Sequence, residues 1–234
     1  MVVRLDNPSG FSHTSVMDAS ESNLMSPVDR LISRFDGWLR RSTSQGDEGD
    51  ARRPYPGAVA GDALSERERR LSAGLMRVNH AGEVAAQALY EGQALGAREK
   101  TVNVRLWEAA QEEAEHLDWC ERRLDELESA PSRLDPLWYA GSFLIGLAAT
   151  ARGDAASLGF VAETERQVVE HLNGHIERLP AGDHRTRAIL RQMARDEAKH
   201  GAAALAGGGR PPPFPVRLAM RLSAKVMTRT SFWI

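Results

Sequence analysis

Several features that mark common protein classes are scarce in this sequence. Its 234 residues include one cysteine, Cys120, so a disulfide framework is excluded and a reducing compartment is favoured. The formal net charge of −2 gives no overall attraction for nucleic acid, and we expect no such partner. The longest apolar run, 137–151, is shorter than the ~20 residues that cross a bilayer. The chain is nevertheless long enough for one domain with a substantial core.

Strand-like alternation of apolar and polar residues is also missing, whereas helical periodicity is frequent. Residues 1–26 are polar and rich in serine, which predicts a disordered extension. Apolar residues at helical spacing in 27–41 predict an amphipathic helix, and the Gly- and Pro-rich stretch 42–63 predicts a linker. The remaining residues, 64–234, are expected to form one all-helical domain.

Capping residues and helix breakers divide this domain into long helices. Ser65 and Glu68 match a capping box, which predicts the start of a helix, and Asp154 and Asp183 are candidate caps of two later helices. The four long helices are expected at about 65–96, 101–130, 154–179 and 183–206. A long connection, 131–153, separates them into two pairs. One long crossover between two hairpins is typical of the ferritin-like four-helix bundle.

A repeated Glu-x-x-His motif is the strongest functional signal in the sequence. The two copies are Glu113-Ala114-Glu115-His116 and Glu197-Ala198-Lys199-His200. Residues three apart lie on one face of a helix, so each copy directs a carboxylate and an imidazole to the same place. A single upstream glutamate accompanies each copy, Glu83 lying 30 residues before Glu113 and Glu165 lying 32 residues before Glu197. Four glutamates and two histidines in a helical bundle are the ligand set of a di-iron or di-manganese site.

The same spacing predicts where each helical hairpin must turn. For Glu83 and Glu113 to face each other, the turn must lie near residue 98, where the chain reads Gly96-Ala97-Arg98-Glu99-Lys100. For Glu165 and Glu197 the midpoint is residue 181, and the chain there reads Pro180-Ala181-Gly182-Asp183. Both turn sequences therefore fall where a shared metal site requires them.

Charge and ligand chemistry indicate which metals such a site would take. Four carboxylates on core-facing positions would repel one another and would be costly to bury, whereas two divalent cations would balance their charge. Carboxylate oxygens with one imidazole per ion suit iron or manganese, and the sequence has no thiolate set for zinc. The alternative is that each motif lies on a solvated helix face, as we expect for the neighbouring charges Glu115, Glu121, Arg122 and Arg123.

A few other residues are candidates for supporting roles. Glu112 and Asp196 each precede the glutamate of a Glu-x-x-His motif, and they could orient the ligating histidines. His171 could do the same, or it could be a core histidine whose hydrogen bonds are satisfied. Tyr90 is expected to pack in the core rather than to take part in redox chemistry. Beyond the candidate ligands, the sequence assigns no catalytic residue.

Small residues make the first long helix slim. They are Gly82, Ala85, Ala86, Gly92 and Ala94. Such residues either let helices approach closely or leave room for a ligand beside the metals, and the sequence leaves both interpretations open.

Two segments indicate contact with a membrane surface. In 137–147 an aromatic pair, Trp138 and Tyr139, flanks an apolar stretch. A C-terminal helix is predicted over 214–234, where an apolar stripe lies beside basic residues at four-residue spacing. The basic residues are Arg217, Arg221, Lys225 and Arg229. A basic amphipathic helix of this kind is typical of binding to an anionic bilayer surface. The alternative is that both segments simply cover the bundle.

Two strings and the repeated motif resemble a known family. The strings are Leu75-Met76-Arg77-Val78-Asn79-His80-Ala81-Gly82-Glu83 and Gly159-Phe160-Val161-Ala162-Glu163-Thr164-Glu165. They resemble the demethoxyubiquinone hydroxylase family of the bacterial type, from about Leu64 to the end of the chain, with a further match near Leu31 and none in 1–26. The resemblance implies two iron ions bridged by Glu113 and Glu197. One ion would be held by Glu83, Glu113 and His116, and the other by Glu165, Glu197 and His200.

The resemblance also implies a reaction and a location. The domain 64–234 would be an O₂-dependent di-iron monooxygenase of ubiquinone biosynthesis, acting on a polyprenylated methoxy-methyl-benzoquinol. Because that substrate stays in lipid, the protein would be peripheral on the cytoplasmic face of the cell membrane. The resemblance leaves open which electron donor is used, whether the protein forms a homo-oligomer and whether it associates with other ubiquinone-biosynthesis proteins. The rival interpretations are a ferritin-like iron-storage or ferroxidase protein and a non-catalytic membrane adaptor with the same fold.

Overall fold

Helices account for the regular structure of this protein. The computed structural model describes residues 53–61 and 63–234, and in these ranges every regular element is helical, as predicted. The predicted extension 1–26, the helix 27–41 and most of the linker 42–63 lie outside the described residues. The elements are α1 (Glu66–Gly96), α2 (Lys100–Glu126), α3 (Asp135–Ala149), a 3₁₀ turn (Thr150–Arg152), α4 (Asp154–Arg178), α5 (His184–Ala206) and α6 (Phe214–Ser231).

Two helical hairpins form the bundle. Helix α1 packs on α2 and α4 packs on α5, while contacts of α2 with α5 and of α1 with α4 join the two pairs. The turns predicted near residues 98 and 181 are confirmed, because both fall in the short loops that connect the paired helices. The crossover helix α3 and the C-terminal helix α6 both lie against α1.

Side-chain caps begin two of the helices as predicted. Ser65 Oγ accepts a hydrogen bond from the backbone N–H of Glu68 at 3.4 Å, and the Glu68 carboxylate accepts one from the Ser65 N–H at 2.9 Å. Asp183 Oδ1 accepts from the N–H of Thr186 at 3.0 Å. These side chains satisfy N–H groups that have no partner within the first turn of a helix.

One predicted cap and one predicted helix end are wrong. The N-cap of α4 is Gly153, whose φ of 90° favours glycine. Asp154 instead accepts hydrogen bonds from two backbone N–H groups of the loop between α1 and α2, at 3.0 and 2.8 Å, and so ties that loop to α4. Helix α2 ends at Glu126, earlier than expected, and Glu128 beyond it takes a φ of 54°.

The small residues of α1 have two separate roles. A Cβ on Gly92 would lie 2.2 Å from the backbone oxygen of Phe143, and one on Gly146 would lie 2.2 Å from that of Leu89. Only glycine allows α1 and α3 to come so close. A Cβ on Gly82, in contrast, would meet no atom within 4 Å. The interpretation that small residues let helices approach is therefore confirmed at Gly92, whereas room for a ligand beside Gly82 stays a prediction.

The apolar core consists of two clusters with a polar layer between them. The first contains Leu75, Trp119 and Ile189, and the second contains Tyr90 and Leu106. Along each of α1, α2, α4 and α5, the predicted ligand positions fall between these clusters. The bundle thus encloses the six candidate ligands in a layer between two apolar clusters.

Candidate metal centre

The six predicted ligands converge in the middle of the bundle. Their ligand atoms form two groups, and within each group all atoms lie within 4.8 Å of one another. The groups are Glu83, Glu113, His116 and Glu197, and Glu165, Glu197 and His200. All of these side chains are buried except that of His200, which is partly exposed. Glu197 belongs to both groups, as a bridging ligand would.

Glu113 also reaches both halves of the cluster. Its Oε2 lies 3.4 Å from His116 Nδ1, and its Oε1 lies 3.5 Å from His200 Nδ1. Glu197 behaves alike, with Oε1 at 2.9 Å from His116 Nδ1 and Oε2 at 3.1 Å from His200 Nδ1. Both imidazoles therefore turn Nδ1 towards the two central carboxylates, which suits bridging by both glutamates.

Buried polar atoms without hydrogen bonds indicate that the donor set fits metal ions. In the described part of the chain, both carboxylate oxygens of Glu113, Oε1 of Glu197 and both ring nitrogens of His116 have no hydrogen-bond partner. Buried polar atoms are normally paired, because leaving them unpaired is costly. Glu197 Oε1 lies 2.9 Å from His116 Nδ1, and neither atom is used in a hydrogen bond, so both face the space that a metal ion would occupy. Carboxylate oxygen with imidazole nitrogen is a donor set that iron and manganese accept.

Burial and mutual repulsion perturb the ionisation of this cluster. Burial raises the pKa of Glu83, the adjacent imidazole offsets part of that rise, and the charges of Glu113 and Glu197 add to it. Burial also raises the pKa of Glu165, with repulsion from the same two carboxylates. Burial lowers the pKa of His200, but the carboxylates around it outweigh burial and raise that pKa to about 12. Bound divalent cations would offset both the repulsion among these carboxylates and the cost of burying their charge.

Each Glu-x-x-His helix supplies the carboxylate that faces the histidine of the other. Glu112 Oε2 on α2 lies 2.9 Å from His200 Nε2, and Asp196 Oδ2 on α5 lies 3.5 Å from His116 Nε2. Both predicted orienting residues thus approach a ligand histidine, although the sequence did not indicate which one. An acceptor at Nε2 favours the tautomer in which Nδ1 keeps its lone pair for a metal.

Tyr90 and His171 differ in how they relate to the cluster. Tyr90 is buried, as expected, but its hydroxyl also donates a hydrogen bond to Glu165 Oε1, so it does more than pack. Its ring lies edge-on to His200, with centroids 6.3 Å apart. His171 lies against His175, with ring centroids 3.9 Å apart, and its Nε2 has no hydrogen-bond partner among the described residues. An orienting role for His171 stays a prediction.

Two charges that we expected on a solvated face are packed instead. Arg123 is buried, and its guanidinium donates to Asp183 Oδ1 at 2.9 Å, so the expectation of a surface charge is wrong. Glu115 is half-buried and forms an ion pair with Arg53, which lies in the segment before α1. Arg53 also donates to Asp196 Oδ2 at 2.8 Å. No periodic pattern could have marked Arg53, because residues 53–61 are not helical.

A cavity of about 760 Å³ lies beside the cluster, and Glu83 forms part of its wall. Gly82 and Ala86 flank Glu83 there and keep the adjacent space open. Large apolar side chains from three other helices line much of the rest, together with polar and charged residues such as Gln167 and Lys225. The apolar side chains include Leu137 and Ile145 of α3, Phe160 and Val168 of α4, and Met220 of α6. The cavity therefore joins an apolar space to the candidate metal centre.

The fold and the site define a ferritin-like helical bundle with a buried carboxylate–histidine cluster. A dodecameric thioferritin, the bacterioferritin-related protein from Bacteroides fragilis, has a similar fold, with a TM-score of 0.50 and 19% identity over 58% of this chain and 82% of that one. Such a likeness concerns the fold alone. The family model of ubiquinone biosynthesis protein COQ7 matches residues 70–231, and this chain belongs to that family. The resemblance to the demethoxyubiquinone hydroxylases is thereby confirmed.

Curated relatives match almost the whole chain. The 3-demethoxyubiquinol 3-hydroxylase from Bordetella pertussis is 53% identical over 210 residues, which are 89% of this chain and 93% of the relative. Its namesake from Nitrosococcus oceani is 51% identical over 214 residues, which are 92% of this chain and 100% of the relative. The protein of the same name from Nitrosomonas europaea is 51% identical over 208 residues. The likeness therefore extends well beyond the motifs.

Proposed function

We propose that this protein is a di-iron hydroxylase that uses O₂ to hydroxylate demethoxyubiquinol in ubiquinone biosynthesis. The names of its 51–53% identical relatives support the reaction. The observation that carries the proposal is the cavity, because it leads from apolar walls to Glu83 in the candidate metal centre. A quinol ring with an apolar tail has the chemistry that such a space accommodates.

The side chains of the cluster would hold and orient the metal centre. The ligands would be Glu83, Glu113 and His116 for one iron ion, and Glu165, Glu197 and His200 for the other. When bound, the iron would supply the redox chemistry with O₂ that hydroxylation of a ring requires. Tyr90 restrains Glu165 through its hydroxyl. Glu112, with Oε2 at 2.9 Å from His200 Nε2, and Asp196, with Oδ2 at 3.5 Å from His116 Nε2, would orient the two histidines for metal binding.

The cavity walls would position the substrate and exclude water. Gly82 leaves space next to Glu83, since no atom lies within 4 Å of a Cβ built there. A planar ring can therefore lie close to the centre without displacing α1. The apolar side chains of α3 and α4 surround that space, so the reacting ring would be shielded from bulk water.

We further propose that α3 and α6 bind an anionic membrane surface. Both helices expose large apolar side chains, including Leu144 of α3 at 64% and Leu222 of α6 at 57% exposure. Exposed basic residues, among them Arg221 and Lys225, lie along α6. Within the described ranges, every helix is too short or too polar to cross a membrane. A peripheral position on the cytoplasmic face of the cell membrane would bring the cavity, which α3 and α6 help to line, to a membrane-borne quinol.

The two rival functions make different demands on the molecule. An iron-storage protein would share the ligands but has no need of the exposed apolar residues on α3 and α6. If the protein eluted from a size-exclusion column at the volume of a large hollow shell, the result would favour iron storage. A non-catalytic membrane adaptor has no need of six convergent ligands, and markedly fewer than two iron ions per chain after anaerobic reconstitution would favour it.

A genetic complementation experiment tests the proposed function. Quinones extracted from a strain that lacks the gene should contain accumulated demethoxy precursor by mass spectrometry, and the wild-type gene should restore ubiquinone. Glu165→Ala and His200→Ala should not restore it, although circular dichroism should show that both variants remain helical. Glu177→Ala, which removes an exposed glutamate of α4, is the control and should behave as wild type.

Each part of this experiment can fail separately. Normal ubiquinone in the deletion strain would refute the function. Wild-type ubiquinone levels in either ligand variant would refute the ligand assignment while leaving the function in place.

A further inference from the structure

Arg53 contacts the outside of the candidate metal centre, although it belongs to the segment before α1. Its Nη1 donates to Asp196 Oδ2 at 2.8 Å, and its Nε donates to the carboxylate of Glu115. Its guanidinium carbon lies 5.0 Å from the centroid of the Trp119 ring, which is a cation–π distance. Arg53 thus connects α2 and α5, the two helices that carry the Glu-x-x-His motifs.

Each of these partners lies beside a candidate ligand. Glu115 and Asp196 each come immediately before a ligand in the chain, and the Trp119 ring lies 5.1 Å from the His116 imidazole, centroid to centroid. Asp196 provides the most direct route to the centre. The same oxygen, Oδ2, accepts from Arg53 and lies 3.5 Å from His116 Nε2. Arg53 can therefore act on His116 through one shared carboxylate oxygen.

Arg53 is suited to fixing the direction of that carboxylate. Asp196 also accepts from Gln192 at 2.9 Å and from the exposed Lys199 at 2.9 Å, the latter through Oδ1. A lysine ammonium is a flexible point charge, whereas a guanidinium is planar and donates in fixed directions. Since Arg53 is also held by Glu115 and Trp119, it restrains Oδ2 in its place facing the imidazole.

The other histidine has a different environment. Glu112, the carboxylate at His200 Nε2, has a side chain that is 49% exposed, against 2% for Asp196. Water competes for an exposed carboxylate and allows it to reorient, whereas a buried one depends on its protein partners. The half of the centre that contains His116 is therefore the half whose geometry depends on Arg53.

We propose that Arg53 is a positioning residue of the metal centre. By holding Asp196 against His116 Nε2, it sets how tightly the half of the centre served by His116 binds its ion. The inference rests on the proposed function in one respect, because it takes the cluster to bind two metal ions. It adds that a residue outside the bundle helices contributes selectively to one of them.

Anaerobic titration of the full chain with Fe(II), in competition with a chromophoric chelator, tests the proposal. In Arg53→Met, one Fe(II) should bind as in wild type and the other about 10–100-fold more weakly, the usual cost of removing the support of a ligating histidine. Arg53→Lys keeps the charge but not the planar guanidinium, and it should weaken the binding of the same Fe(II). Full recovery of affinity in Arg53→Lys would overturn the positioning role.

Arg69→Met is the matched control for the loss of a surface arginine. Arg69 lies near the start of α1, its side chain is 28% exposed, against 37% for Arg53, and it pairs with Glu66 and Glu128. Both Fe(II) affinities should be unchanged in this variant. If Arg69→Met weakened the binding of one Fe(II) as much as Arg53→Met does, the proposal would be overturned, since the loss of any arginine ion pair would then have the same effect.

A double-mutant cycle with Asp196→Asn distinguishes positioning from general destabilisation. If Arg53 acts through Asp196, Arg53→Met should cost little further affinity in the Asp196→Asn background. Additive losses would overturn the proposal, as would two wild-type affinities in Arg53→Met. Wild-type protein that binds fewer than two Fe(II) would instead refute the di-iron function and, with it, this inference.

Discussion

The close approach of α1 to α3 at Gly92 predicts a large effect from a single methyl group. A Cβ at this position would lie 2.2 Å from the backbone oxygen of Phe143 and 2.9 Å from the backbone nitrogen of Leu147. A carbon–oxygen contact requires about 3.3 Å. Because both neighbours are backbone atoms, no side-chain rotation can relieve the overlap, and α3 would have to move away from α1 by about 1 Å.

We therefore expect Gly92→Ala to lower the free energy of unfolding by roughly 1–3 kcal/mol, the range for an overpacked core. Alanine in a helix interior contributes up to ~1 kcal/mol in the opposite direction, so the measured loss is net of that gain. For a domain of this size, each kcal/mol should lower Tm by about 2–4 °C.

Urea unfolding followed by circular dichroism measures the effect. Gly82→Ala is the control, because it lies in the same helix and its Cβ would meet no atom within 4 Å. It should be as stable as wild type, or more stable by up to ~1 kcal/mol. If Gly92→Ala proved as stable as Gly82→Ala, α1 and α3 would not pack as closely as described, and the wall that α3 gives the cavity would need revision.

Two further predictions concern the membrane surface and pH. Replacing three exposed basic residues of α6 by glutamine should weaken binding to anionic vesicles by about 100-fold, since each contributes ~1 kcal/mol near such a surface. The triple variant carries Arg221→Gln, Lys225→Gln and Arg229→Gln. The control replaces three exposed arginines of other helices, by Arg67→Gln, Arg191→Gln and Arg195→Gln. Equal vesicle co-sedimentation of the two triple variants would contradict the prediction. Burial lowers the pKa of His80, but the carboxylates of Asp135 and Glu121 outweigh burial and raise it to about 9. The pKa of His80 in the unfolded chain is about 6.5. The protonated imidazole should therefore stabilise the fold fully below about pH 6.5, and this contribution should be lost as pH rises through about 9. Across that range, the difference in free energy of unfolding between wild type and His80→Gln should shrink by on the order of 3 kcal/mol. Urea unfolding at about pH 6 and about pH 10 checks this, and an unchanged difference would exclude the role of His80.

Much of the fold could be predicted because its signals are local. Helical periodicity, the capping box at Ser65 and the cap at Asp183 depend on residues within one or two turns of each other. The pairing of helices followed from the number of residues between the candidate ligands, since residues that face each other in a hairpin are equidistant from its turn. Asp154 was misassigned for the converse reason. Its carboxylate binds a loop more than fifty residues away, and no pattern near Asp154 records that contact.

The candidate site divides in the same way. All six candidate ligand positions could be predicted, because a buried carboxylate or histidine within an apolar helix face stands out in the sequence. The surrounding charges could not be predicted. Glu115 and Arg123 have the composition of a solvated face, and only their neighbours on other segments make them part of the packed structure.

The sequence by itself determined that this protein is a helical bundle with six convergent candidate ligands, because helix geometry and the length between turns place them together. Only the tertiary structure decided that Glu112 faces His200 while Asp196 faces His116, and that Arg53 reaches Asp196. These pairings depend on the faces that meet when segments far apart in the chain pack together. Neither composition nor periodicity along a single helix contains that information.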